Sequence, residues 1–272
     1  MNYVNSLRSE LIERARKYAA AHDMSYCLSY GQTPTICFDT AGAATRHGNF
    51  LPSTYQRILK NPAWRRRLHK VHSQGRKSFP RNERGVWREL DACTSSDALL
   101  MNVFCHAGIF KDGRVGWMLD VHPSATSTFG FPARVPLTNG RFDRTEVDMR
   151  LEDLLIEAKL TESDFQKAPR DLVHAYRDFG EVFDEKQLPQ STHHYGSYQL
   201  IRNVLAAHAS GRAFCVLTDA RRPELIEAWY AVMKCVRPID LRLRCKVLTW
   251  QELAQALPRG LRKFLGEKYG IE

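Results

Sequence analysis

Residues 145–161, TEVDMRLEDLLIEAKLT, decide how the rest of the chain is read. Val147, Met149 and Leu151 alternate with Glu146, Asp148 and Arg150, which is the period of a half-buried strand. The polar pair Glu152-Asp153 follows, and then Leu154-Leu155-Ile156 leads into Glu157-Ala158-Lys159-Leu160. Two strand-like runs around a two-residue break predict a β-hairpin. A symmetric turn sets Leu151 opposite Leu154, Asp148 opposite Glu157 and Glu146 opposite Lys159. Side chains alternate faces along a strand, so Glu146, Asp148, Glu157 and Lys159 share one face. Directly opposed residues have Cβ atoms about 4.5–5.5 Å apart, and like charges at that spacing destabilise the pair. A divalent cation between the carboxylates resolves the conflict. Mg²⁺ takes oxygen ligands and binds through one or two carboxylates plus substrate phosphates. Lys159, one step further along the face, is placed to hold a water or to offset charge on a phosphate.

Asp148, followed on the next strand by Glu157-Ala158-Lys159, resembles the PD-(D/E)XK nuclease superfamily. The proline of that name is absent, since Val147 precedes Asp148. Ser95-Ser96-Asp97 followed by Asn102 resembles a pattern in a poorly characterised branch of the same superfamily. The resemblance spans residues 85–250 and implies an α/β, restriction-endonuclease-like αβββαβ core. It implies Asp148 and Glu157 as metal ligands, the Ala158 carbonyl as a further oxygen, and Lys159 as the catalytic lysine. The helix before the sheet often adds an acid in this superfamily, which points to Glu89 first and Asp97 second; Glu146 is a further acid with no settled role. The helix after the hairpin often brings a Gln or Arg to the phosphate, which points to Gln199 and Arg202. The implied cofactor is Mg²⁺, with Mn²⁺ as a substitute.

The 272 residues are 43% hydrophobic and 26% charged, as in an ordinary soluble domain. No apolar run approaches the ~18 residues of a membrane span, and the charged N-terminus lacks a signal-peptide core. The seven cysteines include no C-x-x-C pair. That argues against zinc and for reduced thiols in the cytoplasm. Forty Lys and Arg against thirty acids give a net charge of +10 and a pI near 9.4. This is the balance of a nucleic-acid-binding protein and not of one with a cationic substrate.

Residues 46–78 are the most basic part of the chain. Asn61-Pro62 reads as a helix cap and first position. The helix that follows would carry Arg65, Arg66, Arg67 and Lys70, with Arg76 and Lys77 beyond, as a clamp on the DNA backbone. A basic N-terminal extension over 1–82 and a nuclease-like domain over 83–272 are the expected domains. Helical spacing predicts a helix over 4–22, and Thr94 or Ser95 caps another before Ala98, Leu99 and Met101. Residues 25–40 predict short strands, 114–121 the first core strand and 122–143 a loop. Residues 164–185 read as helical, 195–209 as a helix, and 213–219 as a strand buried on both faces. Residues 224–236 read as a helix, 241–249 as a basic sheet edge and 250–268 as a closing helix. Gln199, Arg202 and Asn203 fall on one face of the 195–209 helix.

Metal-dependent hydrolysis of DNA is the reading this supports, with RNA left open and a homodimer plausible because two strands need two sites. The alternatives are a nucleic-acid-binding protein on the same fold without activity, and a purely structural charge ladder. No glycine-rich phosphate loop, nucleophile elbow or His/Cys cluster supports another enzyme class.

Overall fold

The computed structural model describes residues 3–29, 34–38, 45–70 and 88–272. The chain divides into two compact units, Met1–Met118 with Trp250–Glu272, and Leu119–Thr249. Residues 88–118 group with the N-terminal segment, and the boundary that the sequence pattern suggests at 82/83 lies outside the described residues.

The 119–249 unit is built on a five-stranded mixed sheet. Its strands are β1 (Ser127–Pro132), β2 (Glu146–Leu151), β3 (Leu154–Ala158), β4 (Ala213–Thr218) and β5 (Cys245–Thr249), and they lie side by side in that order. β2 runs antiparallel to both of its neighbours, β1 and β3. β4 is parallel to β3, and β5 to β4. Parallel neighbours need a crossover. Helix α1 (Tyr198–Ser210) supplies the first and helix α2 (Pro223–Met233) the second. The βββαβ order of the restriction-endonuclease-like fold is therefore present.

The hairpin forms in the expected register, with Leu151 paired to Leu154, Arg150 to Leu155 and Met149 to Ile156. Its turn places Glu152 in the left-handed region at φ +52°. The carbonyl of Asp153 accepts the amide of Ala213 at 2.9 Å, which ties the turn to the start of β4. On β2 the odd positions Val147, Met149 and Leu151 are buried, and Glu146 faces solvent. Every residue of β3 is buried. Leu155, Phe214 and Val216 pack with Leu200, Ile201, Val204 and Leu205 of α1 and with Trp229 and Val232 of α2. Each large apolar side chain buried this way contributes about 1.5–3 kcal/mol. This packing fixes α1 over β3, and so fixes which α1 side chains meet the β3 carboxylate.

Several expectations need correction. Residues 114–119 form a helix, not the first strand. Val115 and Leu119 are buried at i, i+4, while Trp117, which strand alternation would put beside them, is 80% exposed. The first strand is β1, inside the stretch expected to be loop. Gly130 and Pro132 mask its alternation, and as a sheet edge it tolerates a terminal proline. The α-helices within residues 164–185 are only the short Arg170–His174 and Phe179–Val182. In the 241–249 segment, the first residues end the helix Ile239–Leu243 and only Cys245–Thr249 is strand. The closing helix is two, Trp250–Ala254 and Arg259–Tyr269, separated at Pro258.

In the other unit the helix Tyr3–His22 buries Leu7, Leu11, Ala15, Tyr18 and Ala19. Arg14 on it donates to the carbonyl of Gly266 in the C-terminal helix at 3.0 Å. Strands Tyr26–Leu28 and Ile36–Phe38 pair antiparallel. Asn61 caps the helix Pro62–Arg67 by accepting the amides of Ala63 and Trp64. Ser95 caps the wholly buried helix Ser96–Phe104 by accepting the amide of Ala98.

Candidate active site

β2, β3 and α1 bring four sequence-predicted groups together, and a fifth borders them. Asp148 leaves β2 just past the paired ladder, and its Oδ2 accepts the amide of Ala158 at 2.8 Å. The side chain takes up an amide at the point where the last strand pair ends, which anchors the carboxylate to β3. Glu157 is 2% exposed and Lys159 4%. The Lys159 ammonium donates to Glu157 Oε1 at 2.8 Å and to Gln199 Oε1 at 2.9 Å. The second Glu157 oxygen accepts from Asn203 Nδ2 at 2.9 Å. Asn203 Oδ1 in turn accepts from both Nε and an Nη of Arg202. Arg202 also donates to the carbonyl of Glu146 at 3.2 Å, joining α1 to the start of β2. The face of α1 that carries Gln199, Arg202 and Asn203 is therefore the face that meets β3.

The Glu157 carboxylate and the Lys159 ammonium have their ionisation set by their neighbours. Burial alone would raise the Glu157 pKa. The charges of Lys159 and Arg202, with hydrogen bonds from Lys159 and Asn203, outweigh it and hold Glu157 below the usual carboxylate value. Burial would lower the Lys159 pKa, but Glu157, then Glu162, then Asp148 outweigh it and raise it above its ordinary value. Lys159 is thus an ammonium throughout the neutral range. The Phe165 ring, its centroid 5.6 Å from the Lys159 nitrogen, covers one side of it.

The donor set suits a hard cation. Asp148 and Glu157 offer carboxylate oxygens, and a carboxylate has about four lone-pair sites, so the hydrogen bonds to Glu157 do not exhaust it. Among the described residues no group of three or more His, Cys, Asp or Glu is arranged to hold a metal. Two carboxylates of this kind would suit Mg²⁺ or Mn²⁺ completed by water and phosphate, the donor set of a hard cation.

Most of the other predicted residues belong to the N-terminal unit. Glu89 belongs to the N-terminal unit, where Lys70 donates to it at 3.0 Å. Lys70 also reaches Asp97 at 2.6 Å, and Arg67 donates to both Asp97 oxygens. Asp97 is buried, yet Lys70 and Arg67 hold its pKa below the usual value. For Glu89, burial prevails over Lys70 and the pKa is raised. Arg67 and Lys70, expected on DNA, are paired here with the buried Asp97, and Lys70 also with the half-buried Glu89. Arg65 and Arg66 are exposed on a helix that ends at Arg67. Arg76 and Lys77 lie outside the described residues. Arg202, expected at the phosphate, is buried, its guanidinium taken by Asn203 and a backbone carbonyl.

Two participants had little or no signal in the sequence. Asn203 was visible only as a neighbour of Arg202 on a polar face. Arg222, fully buried, donates to the carbonyls of Leu160 at 2.8 Å and Glu162 at 2.7 Å, and so clamps the segment that follows Lys159. Only the packing of α2 against the sheet brings it there.

A βββαβ sheet with an acid on the second strand, an acid on the third and a lysine two residues on, just past its end, defines the PD-(D/E)XK, restriction-endonuclease-like class. Within it, the chain belongs to the family described as restriction endonuclease associating with ARP, whose model matches residues 13–270. No curated protein and no solved structure matches the chain. Membership in a restriction-endonuclease family points to nuclease activity and implies a DNA substrate. Among the described residues no helix is long and apolar enough to cross a membrane.

Proposed function

We propose that this protein is a Mg²⁺-dependent endonuclease that hydrolyses phosphodiester bonds in DNA, with Asp148, Glu157 and Lys159 at its centre. The observation that carries the reading is the buried Lys159 ammonium, held by Glu157 and Gln199 on the strand next to Asp148. Asp148 and Glu157, with the Ala158 carbonyl as a further oxygen, would hold a divalent cation, which would supply Lewis-acid polarisation of the phosphate and a more acidic water. Asn203 and Arg202 orient the Glu157 carboxylate, and the Ala158 amide orients Asp148. Such supporting hydrogen bonds set ligand geometry and affinity. Lys159 keeps its proton, so it acts as a positive charge toward the phosphate oxygens as negative charge grows on them. Gln199 fixes the direction in which that ammonium points.

The test is conversion of supercoiled plasmid to nicked or linear DNA with Mg²⁺ or Mn²⁺, for wild type beside Asp148→Ala, Glu157→Ala and Lys159→Ala. Metal-dependent cleavage that all three variants lose, with DNA binding kept by Lys159→Ala, is the expected result. The alternative, DNA binding without cleavage, draws on the ion pair that already engages Glu157. A metal-independent mobility shift with no product from DNA or RNA would replace the proposal with it.

A further inference from the structure

The net charge is not spread over the chain. Residues 119–249, which hold Asp148, Glu157 and Lys159, carry 18 Lys and Arg against 18 Asp and Glu. Residues 1–118 and 250–272 carry 22 against 12, so the whole net charge of +10 belongs to the other unit. Lys and Arg supply the sequence-independent part of DNA affinity by neutralising phosphates. The unit with the candidate site therefore adds no net attraction for a polyanion, and the other unit supplies all of it.

Within that basic unit, the end of the helix Tyr3–His22 and the helix Arg259–Tyr269 border a cleft of about 880 Å³. Arg259, Arg262 and Lys263 line it. They fall at i, i+3 and i+4 and share one face of the C-terminal helix, while Leu261, Phe264 and Leu265 are buried beneath. All three cations are exposed, and none has an ion pair or a side-chain hydrogen bond among the described residues. Like charges at this spacing destabilise a helix, and an anion set among them removes the conflict. Two acids also line the cleft. Glu267 is engaged by His22, whose Nε2 lies 3.1 Å from its Oε1, and Glu272 lies against Gly266. Beside His22 stands a further exposed cation, Arg46, which donates to the His22 carbonyl at 3.0 Å. From Arg259 to Lys263 the helix axis advances about 6 Å, and each DNA strand presents a phosphate every 3.4 Å or so along its own axis. The row of three cations thus matches successive phosphates of one strand.

We infer that this cleft is the surface that holds the DNA backbone, with Arg259, Arg262 and Lys263 on phosphate oxygens. The inference rests on the DNA reading above and says where in the chain that partner is held. It gives the C-terminal helix the role that the sequence sought in the run from Arg65 to Lys77, of which Arg67 and Lys70 are taken by Asp97 and Glu89. Phosphate contacts carry no sequence information, so the surface holds duplexes of any sequence alike.

The experiment is binding of a short fluorescent DNA duplex of mixed sequence, in EDTA, over a salt series. Four full-length proteins are compared: wild type, Arg262→Gln, the triple variant Arg259→Gln with Arg262→Gln and Lys263→Gln, and a control triple variant. The control, Lys234→Gln with Arg237→Gln and Arg242→Gln, removes three exposed cations from the neutral unit. All the replaced side chains are exposed, so the thermal midpoints should match wild type. The slope of log affinity against log salt should become shallower by about 1 in Arg262→Gln and by about 3 in the cleft variant, whose affinity at physiological salt should fall roughly 10²-fold. The control should keep the wild-type slope. A wild-type slope in the cleft variant, or an equal change in the control, overturns the assignment and leaves the DNA reading standing. Wild type that binds no duplex even at low salt removes the DNA reading beneath it.

Discussion

Replacing Lys159 by Met tests whether the site is the buried network described. The change removes the ammonium from Glu157 Oε1 and from Gln199 and leaves a hydrophobic side chain of similar length. Glu157, 2% exposed, is then a buried carboxylate supported only by Asn203 and the nearby Arg202 charge. Removing one partner of a buried pair costs about 3–5 kcal/mol, since the other charge is left uncompensated. The two supports that remain put the expectation near the lower end of that range. The pH dependence has a definite sign. In wild type the folded Glu157 pKa is below its unfolded value, so its contribution is present above the ordinary carboxylate pKa and is lost as pH falls through the folded one. Without Lys159 the folded pKa moves above the unfolded value, and protonation stabilises the variant. Stability of wild type and variant should therefore differ most near neutral pH and converge in acid. Urea unfolding in EDTA across that range measures this, with hydrogen exchange of the β3 and β4 amides reporting on this unit alone. The double variant Glu157→Gln with Lys159→Met should lose less than Lys159→Met does, and added Mg²⁺ should stabilise Lys159→Met more than wild type. A loss below about 1 kcal/mol, the scale of an exposed pair, or one independent of pH, would refute the buried network.

Two other expectations follow from single buried groups. Asn203→Leu strips the amide from Glu157 and the acceptor from Arg202. It should lower stability by about 1–3 kcal/mol in urea titrations and weaken Mg²⁺ binding by about 10–100-fold in calorimetry. In the N-terminal unit, the Lys268 nitrogen is buried with no hydrogen-bond partner among the described residues, 3.9 Å from the centroid of Phe38, and burial pushes its pKa from 10.5 down to about 7. The unfolded chain then binds more protons between those values, so stability should rise with pH from about 7 to 10.5. At about 1.4 kcal/mol for each unit the rise is roughly 5 kcal/mol, and it should vanish in Lys268→Met, which should be the more stable protein at neutral pH.

What the amino-acid sequence determined by itself is local. The hairpin was legible because the alternation of Val147, Met149 and Leu151 and the break at Glu152-Asp153 are features of adjacent residues, and the Leu151–Leu154 register follows from the turn. The Asn61 cap, the apolar run of β4 and the shared face of Gln199, Arg202 and Asn203 were legible for the same reason. Residues 114–119 failed the same reading, since Val115, Trp117 and Leu119 suit a strand as well as a helix until Trp117 is left outside. Only the tertiary structure decided which charges are solvated. Arg67 and Lys70 look like a clamp in a run of bases, but Asp97 and Glu89, some 20–30 residues away, draw them into ion pairs around the buried Asp97. Glu157 and Asn203 are 46 residues apart, and Arg222 is 62 from the carbonyl it holds. The state of a charged side chain depends on the partner and the dielectric that packing places around it, and neither is encoded within reach along the chain.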